Sequence, residues 1–149
     1  MIDIDIADGR ATISAADFSP LTRHDAAFAR ALAEAVVDLS DDDDVKVVVL
    51  RATGDDFAPL TEPTAPQSLA ATLTTWEQDF SASHAIYQAL CFSKKITMTE
   101  VAGRCLGAGS MLVLTTDLTV ASVDAEFGAP FLAVPESNFV LAALTMRLN

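Results

Sequence analysis

Basic side chains are scarce in this chain. Nine lysines and arginines stand against 21 aspartates and glutamates, a formal net charge of −12. Nucleic-acid binding needs clustered Lys and Arg on the phosphates, so no nucleic-acid partner is expected. A small anionic ligand held by local groups stays open. Cysteine is scarcer still. Cys91 and Cys105 are too few for a disulfide framework and lack metal-ligand spacing, and both are expected as small buried hydrophobes. His24 and His84 have no i, i+4 partner that would suit zinc. Long apolar runs are missing too. Although 51% of the 149 residues are hydrophobic, no run reaches the roughly 18 residues of a membrane span, so no membrane partner is expected. The opening "MIDIDIADGR" has no basic region followed by a long apolar one, so no secretion signal is expected and the reading is cytoplasmic.

What is present is a sequence of elements whose period changes along the chain. "IDIDI" alternates like a half-exposed strand, and "ADGR" and "ATIS" extend it into a hairpin. Over 24–39, Phe28, Leu32, Ala35 or Val36, and Leu39 recur at helical spacing. "SDDDD" ends that helix as a solvated acidic loop. "VKVVVLRA" (45–52) is β-branched and nearly all apolar, as in a strand buried on both faces. The proline-containing segment 53–68 reads as a long loop, and helical spacing returns from Leu69 through Cys91. "KKITMTEV" is a strand, "AGRCLGAG" a turn, and 110–117 a short helix. Strands follow at 118–122 and 125–130, with a final helix over 139–148. Alternating strands and helices predict an α/β fold with largely parallel pairing.

The glycine cluster "LGAGSML" (106–112) is the most pointed local signal. It fails the dinucleotide fingerprint, because Leu112 stands where the third glycine belongs. No lysine follows it as in a phosphate loop, and Ser110 lacks the glycines of a nucleophile elbow. What remains is a strand, a small-residue turn and a helix start. Such a turn either serves tight packing alone or offers free N–H groups to an anion or a developing oxyanion.

The order of "VKVVVLRATGDDFA" and "KKITMTEVAGRCLGAGSMLVLTTDLTVASVDAEFGAP" resembles the enoyl-CoA hydratase/isomerase (crotonase) superfamily over roughly residues 25–145. That family carries F-x-A-G-x-D after one strand. It then has N-G-x-x-x-G-G-G before a helix and a D-apolar-x-x-A-S…F-G-x-P-E segment. The resemblance implies a single domain over 1–149 of the ClpP/crotonase type, a spiral of ββα units. It implies an acyl-CoA thioester as ligand, with no cofactor beyond the coenzyme A of the substrate. Two backbone N–H groups of the family stabilise the thioester enolate. They fall on Thr61 and Ala108, with Leu60 in place of the usual glycine and Glu62 in place of the aspartate. The resemblance also implies a homo-oligomer, a trimer or a dimer of trimers. The C-terminal helices that build such trimers are expected to be absent from this length of chain.

The acid/base positions depart from the family. The two glutamates of its hydratases fall on Met111 and Phe131, and the aspartate of other relatives on Phe139. Adding and removing water calls on both carboxylates, so a standard two-glutamate hydration is not expected. Met111, Phe131, Phe139 and Leu60 are instead expected to line the substrate pocket. The remaining acid/base candidates are Glu136, Glu62 and His84, and each has a plain alternative. The two glutamates read equally as solvated loop carboxylates. His84, on the apolar stripe near Tyr87, reads as a core or interface residue. Chlorobenzoyl-CoA dehalogenases among the relatives carry a working histidine at a similar distance before the turn. Lys94, Lys95 and Arg104 are the basic candidates for coenzyme A phosphates. Two functions follow. One is an acyl-CoA-processing enzyme needing one acid/base group, and the other a non-catalytic assembly or regulatory subunit.

Overall fold

The computed structural model describes residues 1–23, 25–60, 81–82 and 84–128. The expected helical stretch 69–80 and the final helix 139–148 lie outside these residues. The chain opens with a hairpin of β1 (Ile2–Ala7) and β2 (Arg10–Ala15), turned by Asp8 and Gly9. Asp-Gly suits a two-residue hairpin turn because both central residues take positive φ, here 51° and 79°. A four-residue helix, α1 (Ser19–Thr22), follows and leads into α2 (Ala26–Asp41). Asp25 starts α2 by accepting hydrogen bonds from the N–H groups of Ala27 and Phe28 at 3.1 and 3.0 Å. The predicted stripe is the buried one: Phe28, Leu32, Ala35, Val36 and Leu39 all lie inside.

β3 (Val47–Ala52) carries three consecutive buried residues, Val48, Val49 and Leu50. Neighbours along a strand point to opposite faces, so its centre is buried on both, as the sequence indicated. Helical residues at 81–82 and 84–91 form the described part of α3. Then come β4 (Ile96–Val101), β5 (Arg104–Leu106), α4 (Ala108–Thr115), β6 (Leu118–Ala121) and β7 (Glu126–Gly128). β5 corrects the reading of "AGRCLGAG" as a turn throughout: three of its residues pair with β7. α4 also begins two residues earlier than expected and ends at Thr115, where the chain turns into β6.

Among the described residues the strands form a five-stranded sheet, β1-β2-β3-β4-β6, and a two-stranded one, β5-β7. All pairings among these residues are parallel except the opening hairpin. Ala58 adds an isolated parallel bridge to Cys105. The repeat is therefore visible in the pairing. After the hairpin, β3, β4 and β6 stand in that order in the large sheet. The segments that follow each of them, at Ala58, β5 and β7, pair in the same order beside it. Two strands and a helix recur, each unit laid next to the last.

The core lies between the large sheet and the helices. Ile13, Val48 and Leu50 of the sheet meet Leu32 and Val36 of α2, Ile86 and Leu90 of α3, and Leu112 of α4. Phe18 packs on Phe57 with ring centroids 4.7 Å apart and edge-on to Phe28 at 6.2 Å. Two threonines of β4 are buried and satisfied. Thr97 Oγ1 donates to Asp117 Oδ2 at 2.8 Å, and Thr99 Oγ1 lies 2.9 Å from Thr119 Oγ1. Cys105 is buried as expected, whereas Cys91 is exposed. Cys91 is the last helical residue of α3, where the buried face of the helix ends. The next residue, Phe92, is 81% exposed, so the surface that buries the stripe has ended there. Among the described residues no helix is long and apolar enough to cross a membrane.

Candidate active site

The site is built where the small sheet delivers the chain into α4. Phe57 and Ala58 run beside β5 through three backbone hydrogen bonds of 2.9 Å. Phe57 N–H donates to Ala102 O, Ala58 N–H to Arg104 O, and Leu106 N–H to Ala58 O. Asp56 reinforces this pairing. Its carboxylate accepts from the backbone N–H of Arg104 at 2.8 Å and from Nε and Nη2 at 3.0 and 2.6 Å. Hydrogen bonding to Arg104 holds the Asp56 carboxyl below the usual carboxylate range.

Gly107 ends β5 and caps α4 with φ 56°, a left-handed conformation that a side chain would strain. Gly109 has a different reason to be small. A Cβ on it would lie 2.3 Å from the Ala58 Cβ, so the α4 backbone approaches the Ala58 segment more closely than any side chain allows. Ala108 between them is the first helical residue. Its N–H has no partner inside the helix. It donates to Thr22 Oγ1 of α1 at 3.2 Å. Ser110 secures the turn from below, its hydroxyl 2.9 Å from Cys105 O and 2.6 Å from Gly128 O. Burial pushes the Cys105 thiol up to about 12, so it is a packing residue and no nucleophile at neutral pH.

Met111 is buried one turn into α4, and no acidic residue occupies the first turn of that helix. Leu60, at the end of the segment beside β5, is 54% exposed. His84 is half-buried on α3, beside Ala85 and Tyr87, which pack on the core. The structure thus sets the turn at Ala108, with Met111 one helical turn on, against the segment at Ala58. Thr61, Glu62, Phe131, Glu136 and Phe139 lie outside the described residues. Of the basic candidates, Arg104 is held by Asp56, and Lys94 Nζ pairs with Asp41 at 2.6 Å. Among the described residues no group of histidines, cysteines and carboxylates is placed to hold a metal.

Two features escaped the sequence. Thr22 is 86 positions from Ala108, and no periodicity links a threonine at the end of a one-turn helix to a distant glycine turn. The Asp56–Arg104 pair spans 48 positions, and only the side-by-side course of residues 57–58 and β5 brings its members together.

Comparison with known proteins agrees with this fold. The family model for enoyl-CoA hydratase/isomerase matches residues 23–137. An enoyl-CoA hydratase/carnithine racemase from Magnetospirillum magneticum superposes with a TM-score of 0.82 at 22% identity, over 97% of this chain and 55% of that one. An enoyl-CoA hydratase/isomerase family protein from Silicibacter pomeroyi gives 0.74 at 24% identity, over 89% and 56%. The chain therefore spans about half the length of the structures it matches. No curated protein sequence matches it. A repeating ββα layout and a family model over most of the sequence lead to one conclusion: the chain belongs to the enoyl-CoA hydratase/isomerase family.

Proposed function

We infer that this protein processes an acyl-CoA thioester and binds the thioester oxygen at the Ala108 N–H. The observation that carries the reading is the turn itself. Gly107 is left-handed, Gly109 lies against Ala58, and Ala108 opens an eight-residue helix with its N–H outside the helical ladder. An N–H at a helix start, backed by the helix dipole, favours an oxygen that gains negative charge. Removing the proton α to the thioester carbonyl moves an electron pair onto that oxygen, and Ala108 would stabilise it. Thr61 N–H is the proposed second donor. Leu60 and Met111, with Phe131 and Phe139, would line the acyl pocket.

Met111 argues against hydration by two carboxylates. Isomerisation, decarboxylation or thioester hydrolysis asks for a single acid/base group, and Glu136, His84 and Glu62 are the candidates. The same apolar Met111, and the Thr22 oxygen already on Ala108 N–H, favour a second reading as a non-catalytic assembly or regulatory subunit. Calorimetric titration with butyryl-CoA tests the first reading. Saturable binding that free coenzyme A does not match is the expected result, and no binding rejects acyl-CoA recognition. Turnover of crotonyl-CoA that disappears in Glu136→Gln or His84→Ala would exclude the second.

A further inference from the structure

We propose that Thr22 sets the affinity of this site, because its hydroxyl oxygen holds the place that a thioester oxygen has to take on Ala108 N–H. The inference rests on the acyl-CoA reading above and adds a residue to it. Ala108 N–H donates to Thr22 Oγ1 at 3.2 Å, the long end of the normal range. One amide hydrogen serves one good acceptor, so a ligand oxygen on the same axis competes with the hydroxyl.

Thr22 is seated there by packing as well as by that bond. A Cβ added to Gly107 would lie 3.0 Å from Thr22 Oγ1 and 3.3 Å from its Cγ2, so the side chain rests against the turn. α1 in turn is tied down at several points. Phe18 N–H donates to Phe57 O at 2.9 Å, Ser19 N–H to Asp17 Oδ1 at 2.7 Å, and Leu21 is buried. Arg23 Nη1 reaches Ser19 Oγ at 2.8 Å across the same turn. α1 thus connects Phe57, just before Ala58, to the start of α4. Thr22 satisfies the amide in the ligand-free protein, and a bound thioester has to displace it.

Exchanging one neutral acceptor for another costs binding affinity without favouring any particular acyl group. Removing the hydroxyl while keeping the shape should therefore improve binding. Thr22→Val leaves Ala108 N–H without its internal acceptor and should bind butyryl-CoA roughly three- to tenfold tighter, the effect of one net hydrogen bond. Thr22→Ser keeps the hydroxyl and should restore the original affinity. A merely structural role for Thr22 predicts no such gain.

The experiment joins two readouts on the full chain. One is amide hydrogen exchange at Ala108 without ligand, and the other is calorimetric affinity for butyryl-CoA. Faster exchange and tighter binding in Thr22→Val, both reversed in Thr22→Ser, are expected. Unchanged exchange overturns the contact. Faster exchange with equal or weaker binding overturns the competition, and weaker binding would assign the hydroxyl to donation onto the ligand oxygen instead. Faster exchange with no butyryl-CoA binding by either protein overturns the acyl-CoA reading while upholding the Thr22–Ala108 contact.

Discussion

Gly109 shows how narrowly one residue fixes this site. Ala58 approaches it so closely that even a methyl group has nowhere to go, since the obstructing atom is itself a Cβ on a paired segment. Gly109→Ala must push α4 and the Ala58 segment apart. It should cost about 1–3 kcal/mol, the usual range for overpacking, read as a lowered unfolding midpoint. A Gly109→Ala protein as stable as the parent would contradict the close approach. The two cysteines separate at the same scale. An aromatic disulfide reagent at neutral pH should titrate one thiol in the folded protein, the exposed Cys91. It should titrate both only in denaturant, because Cys105 is buried with its thiol pushed up to about 12. Two fast thiols in the folded state would contradict the burial of Cys105. The expectation that both cysteines are buried failed for a local reason. Composition reports that cysteine is often interior, but it does not report where α3 runs out of neighbours.

At the scale of elements, legibility followed length. β2, β3 and β4 each have six residues, and their β-branched or alternating character is visible without any structure. β5 has three residues and the Ala58 bridge only one, too few for a period to show, whereas β7, equally short, falls inside the strand read at 125–130. These short pieces nevertheless aim the site, because they carry the chain from Ala58 and Leu106 towards Gly107. Asp56 and Arg104 staple them together, and that staple has a pH signature. The Asp56 carboxyl titrates below its ordinary value of 3.8 in the folded protein, so it favours the folded state above that value. The contribution is lost as pH falls through the depressed folded value. Both groups are solvent-accessible, so the effect is small and screened by salt. The midpoint difference between the parent and Asp56→Asn should be present at neutral pH and shrink in acid. A difference that is the same at neutral and acidic pH would point to the amide's shape and away from the ion pair.

For the whole molecule, the parallel order of the two sheets is the organising fact. β3, β4 and β6 advance across one sheet while Ala58, β5 and β7 advance across the other, and α4 follows directly on β5. The crotonase-type fold was legible in the spacing of motifs because that spacing reflects this repeat. The site was legible only in part. Local sequence marked the glycine turn, and alignment to the family placed Ala108 and Met111. The oxygen that meets Ala108 N–H comes from a helix 86 positions earlier, and only tertiary structure supplies it. The central claim is that Ala108 N–H is the binding point for a thioester oxygen. The measurement that tests it most directly is the ¹H–¹⁵N spectrum of the labelled protein titrated with butyryl-CoA, with free coenzyme A as the control. The Ala108 amide should move saturably with the thioester and stay in place with free coenzyme A. An Ala108 resonance that stays in place while butyryl-CoA binds elsewhere, or equal shifts with both compounds, would contradict the account.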